Sequence, residues 1–122
     1  MAAKATKIPE HQQALLPLTP AVFFVLFALA GGEKHGYAIM QETNELSDGK
    51  FRMGPGTLYT TIQRLLDLDV IEETTLESES GNRRRNYRLT RSGKALFEAE
   101  IRRLDVLVSR AHQRRLVPRR SE

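Results

Sequence analysis

Apolar positions in this chain change rhythm several times, and each change marks an element. From Ala21 to Ala30 they are almost continuous, so a helix there is apolar on every side and belongs at the centre. Thr19-Pro20 gives its start, a capping hydroxyl followed by the residue best tolerated in a first turn, and Gly31-Gly32 ends it. From Gly36 to Leu46, Tyr37, Ile39, Met40, Thr43 and Leu46 mix apolar and polar positions in a second helical rhythm, closed by the turn pair Asp48-Gly49. Lys50 to Met53 alternates polar with apolar, which predicts a very short strand. Leu58, Ile62, Leu65 and Leu66 then recur at helical spacing and predict a third helix over Pro55 to Leu68.

Val70 to Leu76 is rich in β-branched residues and reads as a strand. The cluster Ser78 to Asn82 reads as a turn, and Arg84 to Thr90 as the returning strand. Alternation puts Arg85, Tyr87 and Leu89 on one face of that strand and Arg84, Asn86 and Arg88 on the other. Thr90 caps a last helix whose Phe97, Ile101, Leu104, Val108 and Ala111 step by fours and threes, a heptad seam that Leu96 and Leu107 broaden. A short chain with such a seam at its end needs a cover for it, and the same helix of a second copy fits. The element order is that of a winged helix-turn-helix with a C-terminal dimerisation helix, mainly α with a small β-hairpin. The expected divisions are a flexible arm over 1–17, the winged domain over 18–90, the dimerisation helix over 91–113 and a frayed tail over 114–122.

The third helix carries the candidate chemistry. With its apolar stripe inward, Thr57, Tyr59, Thr60, Gln63 and Arg64 are left outside: short, hydrogen-bonding, with one cation and no acid. Gly54 and Gly56 leave its start open to close approach by a backbone, and a helix start favours phosphate. Glutamine pairs bidentately with adenine and arginine with guanine, so Gln63 and Arg64 have base-reading chemistry. About a hairpin later comes Arg83-Arg84-Arg85. Arg83 lies nearest the tip and is the best wing contact, while at least one of the three is expected to pair with Glu72 or Glu73. The 122 residues carry a net charge of +4, and from Arg83 onward thirteen cations face four acids, a balance that favours a polyanionic partner.

Other chemistries find no support. Cysteine is absent, which excludes disulfides and thiolate metal sites and fits a reducing cytoplasm. His11, His35 and His112 lie apart with no metal-ligand spacing, and His35 reads as a turn or packing residue. Ser92-Gly93-Lys94 lacks the rest of a phosphate-loop pattern and is a helix start. Glu72 and Glu73 point to opposite strand faces, which argues against a shared acid–base role. No enzyme activity, cofactor or metal is expected. The Ala21–Ala30 run is too short for a bilayer, which takes roughly 20 residues, so no membrane association is expected.

Leu18-Thr19-Pro20, His35-Gly36-Tyr37-Ala38-Ile39, Gly54-Pro55-Gly56-Thr57-Leu58-Tyr59, Arg64-Leu65, Arg84 to Thr90 and Gly93 together resemble the PadR family of bacterial transcriptional regulators, in its short branch. The resemblance implies a homodimeric repressor that a small-molecule effector releases from double-stranded DNA. It places Thr57, Tyr59, Thr60 and Arg64 at or near the DNA, with Gly56 and Gln63 beside them. It also places the wing around Asn82 to Arg85 on phosphates or the minor groove. Some relatives stack a flat ligand between tryptophans of the C-terminal helices; this chain has no tryptophan, so that mode does not carry over. An effector would act at a hinge over Thr90 to Phe97. The competing expectation is a winged-helix protein–protein module that reads no DNA sequence.

Overall fold

The computed structural model describes residues 6–77 and 83–118, with side chains described except at 75–77 and 83. Among the described residues, helices and strands follow in the order α1 (Glu10–Gln13), α2 (Pro20–Ala30), β1 (Lys34–His35), α3 (Gly36–Leu46), α4 (Pro55–Asp67), β2 (Ile71–Glu77), β3 (Arg83–Leu89) and α5 (Arg91–Gln113). The core is built around α2, whose Val22, Val25, Leu26, Ala28 and Leu29 are buried among Ile39, Leu58, Ile62, Leu65, Val70, Ile71 and Leu96. Continuous apolarity thus does what it predicts, since α2 meets α3, α4, β3 and α5 at once. This is the expected winged helix-turn-helix. No helix among the described residues is long and apolar enough to cross a membrane.

Capping agrees closely with the sequence. Thr19 accepts from the Val22 amide at the start of α2, and Thr90 accepts from the Gly93 amide at the start of α5. The strand expected at Lys50 to Met53 does not form; that stretch is irregular, and the Ser47 side chain accepts from the Phe51 amide. The short strand is instead β1, antiparallel to β3 with Lys34 opposite Tyr87 and His35 opposite Asn86. Two residues are too few to carry a period, so no pattern announces them. The sheet order β1–β3–β2 makes β3 central and ties the wing to the start of α3. The turn cluster at Ser78 to Asn82 lies outside the described residues.

The N-terminal segment differs most from expectation. Residues 8–17, read as part of a loose arm, are docked on the domain. Gln12 is fully buried, and its amide donates to the carbonyls of Leu68 and Asp69 and to the Ser92 hydroxyl at 3.0–3.3 Å. His11 Nε2 lies 3.1 Å from the same Leu68 carbonyl. These polar side chains bond the end of α4, where carbonyls lack helical partners. Farther along, the Leu18 amide donates to Glu100 Oε2 at 2.7 Å, and Arg103 donates to the other carboxylate oxygen.

Glu100 is 2% exposed, a buried acid on a helix otherwise leaving the domain. The Arg103 guanidinium, helped by the Leu18 amide and opposed by burial, holds its carboxyl below the usual range. Its stabilising contribution is present above the unfolded-state value and is lost as pH falls through the lower folded-state value. Glu100→Gln should lower unfolding free energy at neutral pH by about 1–2 kcal/mol. In denaturant titrations that gap between wild type and variant should close toward strong acid.

Candidate nucleic-acid interface

Helix α4 forms as its stripe predicts. Leu58, Ile62 and Leu65 are buried, Leu66 is half-buried, and Thr57, Tyr59, Thr60, Gln63 and Arg64 are exposed. Thr61 joins the buried side, its hydroxyl satisfied by the Thr57 carbonyl at 2.7 Å, which lets a polar residue sit in an apolar stripe. Gly54 caps the helix without a side-chain bond, and Pro55 is its first residue. A side chain at Gly54 or Gly56 would meet nothing within 4 Å, so neither glycine is required by packing inside the chain. One acid missing from the sequence reading joins this face: Gln63 Nε2 donates to Asp67 Oδ1 at 3.0 Å, one turn on. The spacing of four residues was the available signal. Among the described residues, Asp67 is the partner of one Gln63 amide hydrogen.

The wing arginines separate into different roles. Arg85 lies 3.5 Å from Glu73, and Arg88, on the other strand face, lies 2.6 Å from Glu72. Pairing with the hairpin acids is therefore present, as expected, for Arg85. Arg84 is exposed. Arg83 belongs to β3, but its side chain, like Asn82, lies outside the described residues. Tyr87 is buried, 3% exposed, and burial together with nearby Glu73 pushes its phenol pKa up.

The His35-Gly36-Tyr37 motif sits beside this wall. His35 Nδ1 accepts from the Ala38 amide at 3.2 Å and so caps α3, the turn role expected of it. Tyr37 and Tyr59 are 60% and 54% exposed, two large aromatic faces on one side of the domain.

The heptad positions of α5 are split by the surface of the domain. Phe97 is half-buried against Phe23 and Phe27 of α2, with ring centroids 5.9 and 5.3 Å apart. Every residue from Ile101 to Arg110 is exposed, including Ile101, Leu104, Leu107 and Val108, and Ala111 is half-buried. Leu96, expected to broaden the seam, is wholly in the core instead. The junction at Thr90 to Gly93 is clamped. The Thr90 hydroxyl meets the Asp69 and Val70 carbonyls at 2.7 and 3.0 Å, and the Thr90 amide donates to Val70. A hinge there would break these bonds, whereas beyond Glu100 the helix has left the domain.

A model of the transcriptional regulator PadR-like family matches residues 25–99. The chain is 36% identical over 83 residues to the transcriptional regulator Rv3488 of Mycobacterium tuberculosis, covering 68% of this chain and 74% of that one. A shorter similarity, 36% over 63 residues, spans 58% of a relative from Lysinibacillus sphaericus, and another spans 21% of a relative from Streptomyces fradiae. Among solved structures, a PadR family regulator from Clostridium difficile superposes with a TM-score of 0.66 at 23% identity, covering 78% of this chain and 97% of that one. Bacillus subtilis PadR in complex with operator DNA gives 0.59 at 24% identity, covering 66% of this chain and 45% of that one. The chain belongs to the PadR-like family of transcriptional regulators.

Proposed function

We propose that the protein is a homodimeric repressor that reads a pseudo-palindromic operator in double-stranded DNA and is released by a small-molecule effector. The observation that carries this reading is the exposed α4 face. Its start is unobstructed, its outward residues are hydrogen-bonding, and arginines of β3 stand beside it. In this reading Gly56, Thr57, Tyr59, Thr60, Gln63 and Arg64 meet the DNA, joined by Arg83, Arg84 and Arg85 of the wing. The structural relative from Bacillus subtilis, seen with operator DNA, supports the choice of partner. Helix α5 supports the dimer, because its apolar stripe from Ile101 to Val108 is left exposed among the described residues. Two-fold symmetry then sets half-sites about one helical turn apart, roughly 10 bp.

Arginines on phosphates supply affinity without sequence choice, and residues on base edges supply the choice. The testing experiment is fluorescence anisotropy on the duplex upstream of the protein's own gene, against scrambled duplex, across a salt series. Preference for one duplex with a steep salt slope is the expected result, and Arg84→Ala, which removes one phosphate contact from each protomer, should reduce the log–log slope of the dimer by about 1.8. Absence of binding to any duplex at low salt would favour a protein-interaction module instead. Gly56→Ala should hold or slightly raise thermal stability, since no neighbour meets the added carbon and alanine favours the helix, yet weaken the complex if a DNA strand passes close to the helix start.

A further inference from the structure

The N-terminal segment is fastened at two places, and both involve α5. Gln12, fully buried, shares two amide hydrogens among the Leu68 and Asp69 carbonyls that close α4 and the Ser92 hydroxyl in the first turn of α5. Farther along, the Leu18 amide meets the buried Glu100 carboxylate at 2.7 Å. Ile8, Leu15, Leu16 and Leu18 pack on the core along the same stretch. One short segment thus reaches the end of α4, the head of α5 and the third turn of α5. It precedes residues 25–99, the stretch that the family model matches.

Stability alone does not call for glutamine at position 12. Its Oε1 is buried with no partner among the described residues, a cost that an apolar side chain of similar length would not carry. Each of its three acceptors also has a second partner: His11 at the Leu68 carbonyl, and Thr90 at the Asp69 carbonyl and the Ser92 hydroxyl. What Gln12 adds is a direct link from α4 to α5. Glu100 holds α5 where it departs from the domain, since every residue from Ile101 to Arg110 is exposed. From there to Gln113 the helix runs on for about 20 Å. A tilt of roughly 10° at Glu100 would carry its far end ~3.5 Å, about the rise of one base pair.

We propose, resting on the dimeric DNA-reading function above, that this N-terminal brace sets the half-site spacing the dimer accepts, with Gln12 and Glu100 as its positioning residues. Side chains on α4 choose the bases within a half-site. The brace fixes the direction of α5 against α4. Across the seam of two α5 helices, that direction fixes the distance and rotation between the two reading helices.

The test starts from an operator enriched by the full-length protein from a randomised duplex pool. One base pair is then inserted or removed between its half-sites. Wild type should bind the altered spacings about 30-fold more weakly than the original. Gln12→Met and Glu100→Ala should each lower that ratio at least about threefold. Their affinity for an isolated half-site and their sedimenting mass should stay at wild-type values, and Gln12→Met should melt near the wild-type temperature. Val25→Ala, a core truncation in the middle of α2, should lose stability and keep the wild-type ratio. Indifference of wild type to spacing would overturn the proposal, and so would retention of the full ratio by either folded variant. An equal fall in Val25→Ala would make the effect one of stability and overturn it too. Conversion of either variant to a monomer would make the brace a dimer contact, with the same consequence. If Glu100→Ala does not fold, Gln12→Met decides alone. Enrichment by wild type of no duplex, or of a lone half-site, would remove the dimeric DNA reading itself, a failure distinct from these.

Discussion

Gly93→Ala should cost on the order of 3–4 kcal/mol of stability, the largest effect expected of a Gly→Ala change among the described residues. A Cβ on Gly93 would lie 1.9 Å from the Val70 carbonyl oxygen and 2.9 Å from its carbon. Both obstacles are backbone, so no rotamer change relieves the overlap. Relief requires lifting the first turn of α5 away from the loop that joins α4 to β2. That movement would strain the bonds from Thr90 to Asp69 and Val70 and would loosen buried Leu96. Helix propensity favours alanine over glycine by about 1 kcal/mol, too little to offset the overlap. Chemical denaturation of wild type and variant measures the difference directly. A variant of wild-type stability would mean that α5 does not approach Val70 this closely.

The second large effect is on assembly. Ile101→Glu with Leu104→Glu should convert the protein to a monomer and lower operator affinity by at least ~100-fold, because two linked half-site contacts become independent events. Both side chains are 37% exposed in the protomer, so placing acids there costs the isolated domain little. Inside a helix–helix seam the same acids would be buried without partners. Sedimentation should therefore report half the mass, while circular dichroism and non-specific duplex binding per protomer stay close to wild type. A dimer that survived both substitutions would locate the self-association elsewhere on the surface.

Much of this architecture was legible because its signals are local. The caps at Thr19 and Thr90, the stripe of α4 and the helix of α5 each rest on residues a few positions apart, and all four are present. Two features were not legible, for the same physical reason. Strand β1 exists only because β3 offers it partners more than fifty residues away. Gln12 is buried only because the end of α4 and Ser92 present unsatisfied groups to it. Polar residues in a short N-terminal stretch carry no mark of such a destination. The candidate interface was legible as a set of outward residues on α4, since helical geometry alone separates the faces. Its relation to α3 was not, because the approach of Tyr59 to Gly36 joins helices that periodicity treats one at a time.

The loop from Leu68 to Val70 concentrates dependencies in three peptide units. Its carbonyls receive Gln12 from the N-terminal segment, Thr90 from the end of the wing, and the close approach of Gly93 at the head of α5. The turn at Asp48-Gly49, by contrast, closes through bonds among residues 43 to 51. Descent should treat the two connections differently. Homologues can gain or lose residues at the second with only local rearrangement. At the first, one inserted residue would shift α4, the wing and α5 out of register together, so its length should stay constant across the lineage while its side chains drift.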